Sequence, residues 1–274
     1  MTQKKVCVTF TEIELKSGPN TVVLDLGGPQ TVNLLDFQGS DATLILGSAE
    51  VEAGDYQWMR LGIDAVLGGS GGANDDGTDA CADGASYMVM KDETLHNLYV
   101  PSSAQTGLKL VGGFTVPVNA TANFTAEWDL MKSLKAPQGL SPDVLMKPVI
   151  RLVNNVEVGT LTGTVQSELA TAEGCEPSVY VFDDGVTPNP LGIDDDPESN
   201  ETDMNDPVAT AMVNEQTNND GSVTWNYTVG FMLAGDYEAA FTCNGTDFEP
   251  VDGKPARIDV GATETVNFEV PSAS

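Results

Sequence analysis

The sequence predicts an all-β protein built as two β-sandwich domains in tandem, immunoglobulin-like or transthyretin-like. Three observations predict it. Apolar and polar residues alternate with period two in most of the apolar segments. Those segments are short and are separated by Gly, Pro and Asn turn signals. Nowhere does the apolar i, i+3, i+4, i+7 pattern of an amphipathic helix persist.

The elements follow in order. Val6 to Leu15 alternates as a half-buried strand does, and the turn signal Gly18-Pro19-Asn20 follows it. Thr21–Leu26 is a second strand, and Val32–Phe37 reads as a single helical turn. Thr43–Leu46 and Tyr56–Ile63 read as strands. Gly68 to Asp83 is rich in Gly and Asp and is expected to be an exposed, mobile loop. Further strands are expected at Ser86–Lys91, Leu95–Val100, Gly107–Val111, Asn123–Leu130 and Val144–Val153.

The domain boundary is placed at Asn154-Asn155, giving domains 1–155 and 156–274. A new strand pattern opens after it at Gly159-Thr160-Leu161-Thr162-Gly163-Thr164-Val165. Charge shifts there too. Residues 1–155 hold 10 basic and 18 acidic residues, whereas residues 156–274 hold 2 and 23. A short motif occurs once in each half, Ala53-Gly54-Asp55-Tyr56 and Ala234-Gly235-Asp236-Tyr237. Its Gly suits a turn, its Asp can bond the local backbone, and its Tyr brings a buried ring with a reachable hydroxyl, so it reads as a structural device.

The net charge of −29 excludes a general nucleic-acid binder, because phosphate contacts need clustered Lys and Arg. It also disfavours anionic membrane surfaces. No apolar run is long enough to span a bilayer, so no membrane insertion of this segment is expected. The chain opens without an export segment. Its acidity and paired cysteines nonetheless point to the mature form of an exported protein, a cytoplasmic protein being the other reading.

The cysteines are Cys7, Cys81, Cys175 and Cys243, with no CxxC pair among them. An even number split two and two suggests one disulfide per domain, Cys7–Cys81 and Cys175–Cys243. Four reduced core thiols are the competing reading.

Little catalytic chemistry is visible. His96 is the only histidine, so a Ser-His-Asp or Cys-His site would have to use it, and no GxSxG elbow supplies a serine. One imidazole is also short of a usual catalytic zinc set. No phosphate-cradling loop motif occurs. Carboxylates are plentiful, but nothing in the sequence marks a cleft for a glycosidase pair. The expectation is a chain that is not an enzyme and has no certain cofactor.

Calcium is the most concrete chemical hypothesis, since hard oxygen ligands suit it. The acidic segment from Asp194 to Asp206 offers Asp194, Asp195, Asp196, Glu198, Asp203 and Asp206 as candidate ligands. Asn74-Asp75-Asp76-Gly77-Thr78-Asp79 is a smaller cluster. Neither has EF-hand spacing, and solvated acidic loops are the competing reading.

Two family resemblances extend these readings. Gly28-Pro29-Gln30-Thr31-Val32-Asn33-Leu34-Leu35, Ala53-Gly54-Asp55-Tyr56 with Arg60-Leu61, Gln105-Thr106-Gly107-Leu108-Lys109-Leu110, Gly113-Phe114-Thr115-Val116 and Leu145–Val153 resemble the bacterial family catalogued as domain of unknown function 4382. That family occurs in exported lipoproteins, so the resemblance implies a β-sandwich, envelope localisation and a lipid-anchored native form, but no activity. Gly159–Val165, Ser178–Phe182, the run Asn219–Val229 with Leu233–Phe241, and Val260–Val270 resemble the carboxypeptidase regulatory-like family, a transthyretin-like sandwich. The acidic insertion between Val186 and Val208 departs from that pattern, so no binding residue is carried over. This resemblance implies an accessory module grouped with carbohydrate-binding-like folds.

The expectation is therefore a non-catalytic envelope or extracellular binding or adhesion protein. Its partner would be a surface glycan or another envelope protein, with Trp58, Trp128 and Trp225 as candidate stacking residues. The alternative is a structural or assembly subunit of a surface stalk, matrix or filament, stabilised by calcium.

Overall fold

A computed structural model of the chain describes residues 3–72, 74–101, 107–110, 112–135, 143–186, 188, 207–245 and 247–270. The fold is all-β, and helix among these residues is confined to single turns. The chain forms two compact units, Met1–Asn154 and Asn155–Ser274.

The first unit is organised around one long strand. β1 (Gln3–Ser17) turns at Gly18, which has a positive φ, into β2 (Asn20–Asn33). Gly54–Tyr56 is β3 and Trp58–Ile63 is β4. β5 (Tyr87–Met90) and β6 (Leu95–Tyr99) form a hairpin, and β7 is Leu108–Leu110. The second edge of β1 is shared. Its start, from Gln3 to Cys7, pairs with β5, and Phe10 to Lys16 pairs with β4, which in turn pairs with β7. β8 (Phe114–Val116) pairs with β3. β9 (Phe124–Asp129) pairs with β12 (Val149–Asn154). β10 (Leu134–Lys135) pairs with β11 (Val144–Met146), which runs parallel to β6.

A bulge between Phe10 and Glu12 resets the alternation of β1. Val6, Val8 and Phe10 face the core before it, and Ile13 and Leu15 face it afterwards. They meet Leu61, Ile63, Met88, Leu98, Leu108, Leu110, Val144 and Met146. The β9–β12 ribbon covers this core with Trp128, Ile150 and Leu152, and Trp128 meets Phe10 edge to face.

The second unit is a two-layer sandwich. β13 (Val158–Val165) lies between β17 (Val223–Leu233) and β20 (Thr263–Thr265), with β16 (Asn214–Thr217) outside β17. The other sheet has the order β15 (Ala209–Met212), β14 (Ser178–Asp183), β18 (Gly235–Thr242), β19 (Phe248–Ile258). One core joins the layers: Leu161, Val165, Tyr227 and Val229 from the first pack with Val179, Val181, Ala239, Phe241 and Ile258 from the second. Gly163 is needed where β13 passes β20. A Cβ there would collide with the Val266 carbonyl and the Tyr227 ring.

The repeated Ala-Gly-Asp-Tyr motif makes the same tie in both units. Tyr56 donates its hydroxyl to the Glu52 carbonyl at 2.8 Å, and Tyr237 donates to the Leu233 carbonyl at 3.0 Å. Both rings are buried, and each hydroxyl reaches back four residues, as in a tyrosine corner. Disulfides join Cys7 to Cys81 and Cys175 to Cys243.

Three expectations about local structure are corrected. Thr43–Leu46 forms no strand: Ile45 and Leu46 pack on the core as irregular chain, while Leu44 is exposed. Val144–Val153 is two strands, because it breaks at Lys147-Pro148, where proline lacks the N–H a ladder needs. The Gly- and Asp-rich loop is largely exposed but is tied down at several points, as described next.

Candidate functional site

The first half of β1 is buried on both faces. Lys5, Cys7 and Thr9 alternate with the core residues Val6 and Val8, so a β-strand must point them away from that core. They are buried there by the segment that runs from Gly68 to Ser86. Cys81 is bonded to Cys7. The Thr9 hydroxyl donates to the Gly84 carbonyl, and the Ser86 hydroxyl accepts from the Thr9 N–H at 3.0 Å. At the start of the loop the Asp143 carboxylate accepts from the Gly68 N–H and from the Asn97 amide.

Lys5 is the centre of this closure. Its side chain is 1% exposed and its ammonium lies 2.5 Å from Asp75 Oδ2. It also donates to the carbonyls of Thr78 at 2.8 Å and Ala80 at 3.2 Å, so all three of its protons have acceptors. Tyr87 donates its hydroxyl to the same Asp75 oxygen at 2.6 Å and accepts from the Ala82 N–H. Burial alone would push the Asp75 carboxyl up. The bonds from Lys5, Tyr87 and the Gly77 N–H outweigh it and hold that carboxyl down at about 2. Burial and the bond to Asp75 push the Tyr87 phenol up to about 12. The donors and acceptors of this cluster are spent on one another, so it is a clamp on the loop.

That accounts for part of the smaller acidic cluster. Asp75 serves Lys5, and Asp76 accepts from the N–H and hydroxyl of Thr78. Asp194, Asp195, Asp196, Glu198, Asp203 and Asp206 lie outside the described residues. Among the described residues, no three His, Cys, Asp or Glu side chains are grouped to hold a metal ion. His96 sits on β6 opposite Met88.

The three indoles separate by face. Trp128 packs on the first core and donates Nε1–H to the Ser133 hydroxyl at 3.1 Å. Trp225 packs against the second core. Trp58 alone points outward. Met59, Leu61 and Ile63 turn to the core, so Trp58 and Arg60 stand on the opposite face of the β2–β1–β4–β7 sheet.

Register fixes the neighbours of Trp58. It lies opposite Lys16, and Lys16 lies opposite Thr21. In the next row Val23, Glu14, Arg60 and Lys109 are aligned across four strands. The Arg60 guanidinium carbon is 4.6 Å from the Trp58 ring centroid and the Lys109 ammonium is 5.3 Å from it. Glu14 accepts from Arg60 at 2.7 Å and fixes the guanidinium in place. Gly107, with positive φ, lets the chain enter β7 against Arg60 and the Leu61 carbonyl, where a side chain would collide. The result is a partly buried indole with two cations over its ring and Lys16 opposite it on the neighbouring strand. The sequence marks Trp58 only as one of three tryptophans; its place in the alternation beside Met59 and Leu61 is the signal that separates it.

A search of curated proteins finds no match. The family described as "Domain of unknown function (DUF4382)" matches residues 1–148, a stretch that includes β1 to β11 and the whole Trp58 face. The match covers more than half of the chain, and the protein belongs to this family.

Proposed function

We propose that the chain is a non-catalytic, exported binding module of the cell envelope that holds a surface glycan on the outward β2–β1–β4–β7 face. The observation that carries the reading is Trp58, an indole turned away from the core on the outer sheet face. Sugar rings stack on such surfaces through their apolar C–H faces, while polar side chains around the ring meet the hydroxyls. Two disulfides support residence in an oxidising compartment. The likeness of the second sandwich to carboxypeptidase regulatory-like domains supports an accessory role. The family's occurrence in lipoproteins supports a lipid-anchored native form. Glycan-array binding by the wild type and by Trp58→Ala tests the reading. Hits that the substitution abolishes support it, and an array without hits rejects it.

One observation favours a second reading, assembly into a stalk or filament. β2 is fourteen residues long and, among the described residues, pairs with β1 alone, so its outer edge is available to another strand. Sedimentation with and without calcium separates the two. Calcium-dependent oligomers would support assembly and the acidic segment as a cation site, whereas a monomer under both conditions would count against them.

A further inference from the structure

We infer that the Trp58 face is built for an acidic glycan, one whose rings carry carboxylate or sulfate groups; this rests on the glycan reading above. The chain has 12 basic residues against 41 acidic ones, so cations are scarce and their placement is informative. Several are engaged with acids elsewhere: Lys4 with Glu93, Lys5 with Asp75, Arg151 with Glu127 and Arg257 with Asp236. Three others stand on the Trp58 face. Arg60 and Lys109 lie over its ring, and Lys16 is its register partner, with its ammonium donating to the Pro19 carbonyl at 2.9 Å.

The acids on this face are few and placed to one side. Glu14 is committed to Arg60. Glu12 and Asp25 lie in the row beyond, opposite one another and beside Gly62, on the side of Glu14 away from Trp58. Over the indole two positive charges therefore meet one negative charge, and Lys16 adds a third cation to the same face. The net charge of −29 does not overrule this locally. At physiological salt the screening length is about 8 Å, less than the width of two strand spacings, so a bound group responds to its immediate neighbours. A neutral sugar would have to displace the cations that stand over the ring. An anionic sugar packs beside the ring and gains charge-assisted hydrogen bonds from Lys109, and from Lys16 once its flexible stem swings away from the Pro19 carbonyl.

The experiment is calorimetric titration of the full chain with three oligosaccharides: an oligouronate, the same oligomer fully methyl-esterified, and a sulfated neutral oligomer. The expected result is that the oligouronate or the sulfated oligomer binds at least about tenfold more tightly than the ester. The charged oligomer that binds more tightly identifies the anion. The Lys16→Gln/Lys109→Gln variant, which keeps the indole and the Arg60–Glu14 pair, should abolish that difference while the ester's affinity stays unchanged. An unchanged melting temperature in this variant shows that the loss is not unfolding. Equal affinity for charged and neutral oligomers, with Trp58→Ala abolishing both, overturns the acidic preference and leaves the glycan reading standing. A charge preference that survives the double substitution overturns the assignment to these lysines. Binding of none of the three overturns the glycan reading as well.

Discussion

Replacing Asp75 with Asn removes the charge that compensates Lys5 and leaves its shape almost intact. The ammonium stays 1% exposed, with two backbone carbonyls and no counter-ion. A carboxyl held down at about 2, from an ordinary value near 4, corresponds to about 2.5 kcal/mol at neutral pH. A single loop segment separates the pair from water, so screening trims this to about 2 kcal/mol. Removing one partner of a buried pair costs about 3–5 kcal/mol in all, a figure that already contains the pairing energy and sets the upper side of the range. The expected loss is about 2–5 kcal/mol, a fall of several degrees in the melting temperature. Denaturant titration gives the loss, and hydrogen exchange over Gly77 to Ser86 shows whether the opening is local. The pH dependence carries the sign. The folded-state pKa of Asp75 is depressed, so its stabilisation is present above pH 4 and lost as pH falls from about 4 to about 2. The gap between wild type and variant should therefore close over that window. Lys5→Met combined with Asp75→Leu removes both charges and should recover part of the loss. An Asp75→Asn protein of wild-type stability and wild-type exchange would refute the clamp.

Other outcomes follow from the same packing. Gly163→Ala forces β20 away from β13 and strains the bond from the Tyr227 hydroxyl to the Val266 carbonyl; chemical denaturation should show a loss of about 1–3 kcal/mol or more. Tyr56→Phe and Tyr237→Phe each lose one buried hydroxyl tie and should cost about 1 kcal/mol apiece, additively, since they lie in separate units. Non-reducing mass spectrometry should find no free thiol, and Cys175→Ser/Cys243→Ser should destabilise the second unit by about 4 kcal/mol, because that bridge closes a loop of 68 residues. Four alkylatable thiols in the native protein would contradict the pairing.

The fold class was legible because period-two alternation reports burial on one face of each strand, and β1, β4, β13 and β17 all follow it. The helical turn at Leu34–Asp36 and the paired cysteines were legible as well. What alternation cannot report is what covers the second face. Lys5, Cys7 and Thr9 look like a solvent side, and only the structure brings the Gly- and Asp-rich segment over them. A lysine followed directly by Val6 and Cys7 was the available hint. The bulge at Thr11-Glu12 was also written in the chain as two consecutive polar residues that break the pattern. Thr43–Leu46 failed for the opposite reason: a short apolar run packs on a core without forming a ladder. Of the proposed binding face, Trp58 was visible but Lys16 and Lys109 were not, because cross-strand register is not a local property of sequence.

The central claim is that Trp58 holds a glycan, and titrating one array-identified glycan into three proteins tests it most directly. Wild type should bind. Trp225→Ala, altered in the core of the other unit, should still bind once its folding is confirmed by melting. Trp58→Ala should keep its melting temperature and lose binding. A Trp58→Ala protein that binds as tightly as wild type would contradict the claim.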